Sequence, residues 1–291
     1  MVLGGVVPES LMTVVAAATV FSVMFVAGLR LPLGEFRWIW QHPGLIARGL
    51  FAVLVAVPAA ALVVARALDR PRAADIGIVL MAISPGAPVA LRRSLDAGGH
   101  RSFAPALQVL VAVLAVVSMP LSIALLNHVY AGRASIEPLE LARQVFTAQL
   151  LPLGLGMLTR GVAPTLADRI EPALARVATV MLVVLAALAI VDITQVVVGA
   201  GPRVAVAIAI VTVLATGIGH ALGGPDPGTR TAVAISSAAR NPGLALLVAA
   251  LNRAPPEITA TILAYLLVSA ATLVPYVAWR RRVAPPPAAG A

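Results

Sequence analysis

Ile83-Ser84-Pro85-Gly86-Ala87-Pro88 and Ala239-Arg240-Asn241-Pro242-Gly243 are the two stretches that decide how this chain folds. Each is a proline-glycine interruption inside an otherwise apolar segment. A helix in lipid must satisfy its own backbone, so a span broken at mid-depth persists only where protein or a water-filled cavity takes up the freed groups. A matched pair of broken spans, one in each half of a chain, points to a transporter's binding site. The expectation is a polytopic membrane carrier with its site at that pair.

Working outward, the composition agrees. Hydrophobic residues make up 60% of the 291 and charged residues 11%, with a mean hydropathy of +0.98, outside the range of ordinary soluble domains. Apolar runs near the roughly 20 residues needed to cross a bilayer recur at about 8–30, 44–68, 73–92, 103–128, 140–160, 172–198, 202–222, 229–251 and 257–279. The fold class expected is all-α, about nine transmembrane helices in one membrane domain over 1–283. Residues 284–291, with Pro285-Pro286-Pro287, read as a disordered tail.

The net charge of +9 does not indicate nucleic acid, because the arginines are spread between apolar spans rather than gathered on one face. All 21 basic residues are arginine. Cysteine is absent, which excludes disulfides and thiolate metal sites; no metal and no cofactor is implied. Residues 1–7 carry no Lys or Arg, so the first span lacks a signal peptide's basic region and is expected to be retained. Odd-numbered connections and the C-terminus hold 13 arginines and the other side 7, with Arg240 inside a span. By the positive-inside rule the N-terminus lies outside and the C-terminus in the cytoplasm.

The two interruptions also sit in an internal pattern. Pro85-Gly86 precedes Pro120 by 35 residues, and Pro242-Gly243 precedes Pro275 by 33. Four spans in one half and five in the other suggest a 5+5 inverted repeat that lacks its first helix, of the kind inverted-topology carriers use. A bundle with incidental prolines is the bland alternative.

Several segments resemble the bile acid:sodium symporters and their bacterial relatives. Met24-Phe25-Val26-Ala27-Gly28-Leu29 is similar to a Met-Phe-x-x-Gly-Leu helix end, and His42-Pro43 opens the next span as in relatives. Ser84-Pro85-Gly86 stands where many members have Cys-Pro-Gly-Gly. Leu151-Pro152-Leu153-Gly154-Leu155-Gly156-Met157 with Arg160 resembles Pro-Leu-x-x-Gly-Met-x-x-Arg, and Asn241-Pro242-Gly243-Leu244-Ala245 the Asn-x-Gly-Leu-Ala of the second crossing helix. The resemblance implies a panel (about 8–30, 140–160, 172–198) beside a core (about 44–68, 73–92, 103–128, 202–222, 229–251, 257–279). It also implies two crossed discontinuous helices, and alternating access for a small organic anion in a bacterial plasma membrane.

Measured against that family, the departures are specific. A Ser-Asn pair of sodium-coupled members falls at Ala90 and Leu91, a Gln at Val53, hydroxyls near Ala104 and Gln108, and a Glu and Gln at Ser236 and Arg240. Sodium needs several oxygen ligands, which Ala, Leu and Val side chains lack, while Arg adds a competing charge. The resemblance therefore implies a symporter-type carrier whose sodium sites are dismantled, leaving proton coupling, exchange or facilitated diffusion open.

The expected binding residues are Ser84, Pro85, Gly86, Pro88, Gln108, Ser236, Ser237, Arg240, Asn241, Pro242 and Gly243. A mid-span arginine costs roughly 2.5–3.5 kcal/mol on insertion scales, so Arg240 must lie inside protein. Its guanidinium either replaces a sodium ion, with carbonyls freed at Pro85 and Pro88 as acceptors, or grips a substrate carboxylate. The bland reading is a snorkelling side chain. Asp192 is a candidate proton carrier or ion-pair partner, against the simpler reading of a carboxylate facing an aqueous vestibule. Gln144 and Gln149 read as interhelical hydrogen-bonding residues, and Trp38, Trp40 and Trp279 as headgroup-level aromatics. Rival functions are an arsenite or auxin-type carrier, a passive channel and an intramembrane enzyme. The missing thiol counts against the arsenite members, and one mid-span acid with no mid-span histidine counts against the enzyme.

Overall fold

Proline placement explains most of the helix boundaries. A computed structural model of the chain describes residues 9–31, 41–67, 71–86, 88–129 and 137–283, with the side chains at 9–13, 16, 88, 126–129, 182 and 185–201 outside that description. Ten helices follow in order: α1 (Glu9–Leu29), α2 (Pro43–Ala67), α3 (Arg72–Ile83), α4 (Pro88–Asp96), α5 (Phe103–Val129), α6 (Pro138–Val162), α7 (Pro164–Leu222), α8 (Pro227–Ala238), α9 (Pro242–Leu251) and α10 (Pro256–Val283). Seven begin at proline, whose missing N–H is no loss in the first turn. Among the described residues, six helices or broken helices are long and apolar enough to cross a membrane.

The outer surface is that of a protein in lipid. Phe51, Val63, Val117, Leu121, Leu158 and Val213 all project outward, exposed, a distribution that water would penalise. The inner core gathers on α3 and α9. Ile78 to Ile83 and Leu244 to Ala249 pack with Val20 and Met24 of α1, Ala115 and Met119 of α5, Leu141 and Val145 of α6, Ile208 and Val211 of α7, and Tyr265 of α10. The segment Pro227–Leu251 is the most buried of the six spanning candidates. Its run of Ala, Ser and Gly could not face lipid, as the sequence requires.

Near the ends of α4 and α8 the connections fix direction. The N–H of His100, just past α4, donates to Gly228 O at the start of α8 (3.1 Å). Arg281 at the end of α10 donates to Asp96 O at the end of α4. At the far end, Asn252 Nδ2 beyond α9 donates to Gln144 Oε1 of α6 (3.2 Å). The pair α3–α4 and the pair α8–α9 thus run in opposite directions, with Arg92, Arg93, Arg230 and Arg280 to Arg282 at one end.

One expected boundary carries no break in the helix, though Pro202–Leu222 is a spanning candidate by itself. The runs 172–198 and 202–222 read as separate helices, yet the backbone is helical without interruption through Gly199-Ala200-Gly201-Pro202. A proline removes a single intrahelical bond and does not by itself end a helix. The element holds 59 residues with prolines at 172 and 202 inside it, and its two ends serve different neighbours. Glu171 pairs with Arg30 beyond α1, whereas Val204 to Val211 pack against the end of α2 and α10. Asp192 lies on this helix, but its side chain is outside the described residues, as are Trp38 and Trp40.

Helices α1 and α6 approach to backbone contact. A Cβ placed on Gly28 would lie 2.2 Å from Leu153 O, and one on Gly156 2.2 Å from Phe25 O. Close approach of this kind is what small residues permit in membrane bundles. Arg160 Nε then donates to Leu29 O, an orphan carbonyl at the end of α1, while Arg160 Nη1 pairs with Asp168. The two segments quoted above for their family likeness are therefore two sides of one joint.

Candidate site at the crossing of two broken helices

Proline 88 has no N–H to give to Ser84 O four residues earlier, so that carbonyl is freed inside the protein. Its partner is the N–H of Asn241, at 2.9 Å, from the second interruption. Asn241 in turn cannot continue α8, because Pro242 starts a new helix. It serves instead as the N-cap of α9, its Oδ1 accepting from Leu244 N at 3.1 Å. The two breaks are thereby joined main chain to main chain. Ser84 Oγ turns back to donate to Leu80 O (2.7 Å). Gly86 has φ +82°, a left-handed backbone that glycine adopts without a Cβ penalty.

Gln149 of α6 reaches into this crossing. Fully buried, it donates to Ala112 O of α5 and accepts from Asn241 Nδ2, both at 3.5 Å, the long end of the hydrogen-bond range. A Cβ on Gly86 would lie 2.9 Å from its Nε2. Gln149 therefore touches both breaks and the helix after the first. The sequence offered it only as a generic interhelical glutamine, since its partners are a backbone carbonyl and a residue 92 positions away.

Arg240 lies inside the protein, 4% exposed, which removes the snorkelling reading. Its acceptor is not a carbonyl at the first break. Both Nη atoms donate to Val53 O of α2, at 3.0 and 3.1 Å. The reason is local to α2. Residues Ala52–Ala56 form a π-turn in which Val57 N donates to Ala52 O. Val53 O could take only the N–H of residue 57, already used, or of residue 58, a proline without one. It is an orphan acceptor, and the guanidinium satisfies it. The carbonyl freed by Pro88 is meanwhile held by Asn241 N. A like π-turn at Phe146–Leu150 precedes Pro152 in α6, where Leu151 N donates to Phe146 O. Such single turns often mark functional sites.

The other expected residues divide. Ser84, Gly86, Asn241, Pro242 and Gly243 meet at the crossing; a Cβ on Gly243 would lie 2.9 Å from Val20 of α1. Ser236 and Ser237 are buried on the last turn of α8, and Ser237 Oγ has no hydrogen-bond partner. Gln108 is buried on α5, one turn before Ala112. Pro85 lies in the break itself, and the side chain of Pro88 is outside the described residues. Arg280, near the end of α10, is also buried, its Nε on Thr231 Oγ1 (2.7 Å) and an Nη on Pro227 O (2.9 Å). It ties the end of α10 to the first turns of α8.

Crossed, oppositely directed half-helices that meet at buried polar breaks form the architecture of a carrier site. The model of the Sodium Bile acid symporter family matches residues 17–200, well over half of the chain. The chain belongs to this family. It is thus an integral multi-pass membrane protein of a transporter family, as its apolar helices require. The match ends within α7, before the second break, so the place of α8 and α9 rests on the bond between Asn241 and Ser84. No individually curated protein matches the chain.

Proposed function

We propose that this family member is a secondary carrier moving an organic anion by alternating access, with Arg240 fixed where sodium-coupled relatives hold an ion. The observation that carries this reading is the guanidinium bound through both Nη atoms to Val53 O. In the family comparison both positions belong to sodium-ligating glutamines. A covalently attached charge supplies the positive potential that a mobile cation would bring. It never leaves, so a sodium gradient has nothing to drive.

In this reading α1, α6 and the first part of α7 form the panel, and α2 to α5, the end of α7 and α8 to α10 the core. The Gly28–Gly156 joint and Arg160 make the panel rigid. Gln149 is the panel's contact with the crossing, and its two 3.5 Å hydrogen bonds are weak enough to part when panel and core rock. The N-terminus outside and the C-terminus in the cytoplasm is the orientation that the arginine-rich end favours.

The test is uptake of a labelled bile acid into liposomes containing the purified protein, with an inward sodium gradient or with choline in its place. Saturable uptake, accelerated by unlabelled substrate inside the vesicles, is expected at equal rates in both salts. Uptake that depends on the sodium gradient would overturn the fixed-charge mechanism, and flux that never saturates would indicate a channel.

A further inference from the structure

Helix α9 is held at both ends by the same chemistry. Its N-cap is Asn241 and its C-cap is Asn252, and the carboxamide of each donates to a glutamine of α6. Asn241 Nδ2 reaches Gln149 Oε1 at 3.5 Å, and Asn252 Nδ2 reaches Gln144 Oε1 at 3.2 Å. Residues five apart on an α-helix point about 140° away from one another, so two such glutamines would not face one neighbour. The π-turn at Phe146–Leu150 lies between them and takes up one residue. It brings both round to the buried side of α6 with Leu141, Val145 and Ala148, while Phe146 and Thr147 stay exposed.

These contacts differ from those inside the core. There, Asn241 N reaches Ser84 O at 2.9 Å, and Arg280 Nε reaches Thr231 Oγ1 at 2.7 Å. Between α6 and α9 the bonds are longer and join neutral amides, which hold less strongly than charge-assisted pairs. A carboxamide pair that separates leaves no charge behind, and each half has both donors and acceptors to offer water. Its partners are also kept aimed. Glu140 Oε1 accepts from Gln144 Nε2 at 3.5 Å, which turns the amide oxygen towards Asn252. Asn252 Nδ2 is steadied by a second bond to Val248 O at 2.8 Å. The pair sits at the end of the bundle remote from Arg280 to Arg282, and the Gln149–Asn241 pair lies deeper, at the crossing.

We propose that Gln144 and Asn252 form a gate. Joined, they close the route to the crossing from the membrane face remote from Arg280 to Arg282; parted, they open it, and the Gln149–Asn241 bond yields with them. The proposal rests on the division into panel and core, yet it concerns opening and not the cargo or its driving force. Sodium-driven uptake would defeat the fixed-charge mechanism and spare the gate, and a failed gate would leave uptake untouched.

The chain contains no cysteine, so introduced thiols report alone. Ser84→Cys puts a reporter at the crossing with little change of shape, and Gln149→Cys serves as a second. A membrane-impermeant maleimide, applied to intact cells or to inverted vesicles and read at the reporter peptide, should label it from both faces. With Gln144→Cys and Asn252→Cys added and oxidised to a disulfide, labelling should slow at least tenfold from one face and stay unchanged from the other. Reduction should restore it. Slowing from neither face, or equally from both, would overturn the proposal. So would a cysteine pair that does not oxidise, or reporters at both positions that react only after denaturation.

Discussion

Replacing Gly156 with alanine tests the joint between α1 and α6 directly. The added methyl would lie 2.2 Å from Phe25 O, 2.9 Å from Leu29 N and 3.0 Å from Gly28 Cα. All three are backbone atoms, so no side chain can rotate away. A carbon touches a carbonyl oxygen comfortably at about 3.3 Å, so the two helices must part by roughly 1 Å. Overpacking of this kind costs about 1–3 kcal/mol, and alanine returns up to ~1 kcal/mol of helix propensity. Three backbone contacts place the overpacking in the upper part of that range, so the net expectation is a loss of about 1–2 kcal/mol. Parting also lengthens the bond from Arg160 to Leu29 O, which alanine cannot restore. Gly154, on the same helix, is the control, because nothing lies within 4 Å of a Cβ built there. Gly154→Ala should leave the thermal midpoint in detergent unchanged or raise it, while Gly156→Ala lowers it by several degrees. Equal midpoints for the two variants would refute the close approach and the rigid joint built on it.

Gly86→Ala should destabilise through both its left-handed φ and the approach of Gln149 Nε2, by about 1–3 kcal/mol. Measured in the Gln149→Ala background, the same Gly86→Ala change should cost less by its steric share, which a double-mutant cycle of thermal unfolding reads out. Asn241→Ala removes an N-cap and should cost ~1 kcal/mol in the same assay, with the backbone bond to Ser84 intact. Arg280→Met deletes charge-assisted bonds to Thr231 Oγ1 and Pro227 O, a loss of about 1.5–3 kcal/mol. Arg281→Ala, at an exposed position, should fall within ~0.5 kcal/mol of the parent.

Much of the architecture was legible from the sequence for physical reasons. Lipid forbids unsatisfied backbone, so the prolines at 85, 88 and 242 had to mark breaks enclosed by protein, and they do. The cost of a charge at mid-depth likewise placed Arg240 inside the bundle. Its acceptor was not legible. Finding it requires counting N–H donors through the π-turn of α2, where Val57 is committed to Ala52 and Pro58 gives nothing. A proline in an apolar run signals a disturbed helix, but not which carbonyl is left over or what comes to meet it. The place of Gln149 was not legible for a similar reason, since only the packing of distant segments turns an ordinary glutamine into a contact with both breaks, and the same packing makes Arg280 a buried tie. Near Gly199 the helical backbone runs on into the span that begins at Pro202, because small residues permit a turn without imposing one.

The hydrogen bond between Asn241 and Ser84 has a consequence for how such a protein can diverge. Its donor and acceptor belong to the peptide unit, which every amino acid except proline brings along unchanged. The chemistry lining the intersection can therefore be rewritten, acid for serine or glutamine for arginine, while the intersection itself stays in place. A lineage can change what it carries and what powers it without first inventing a new scaffold.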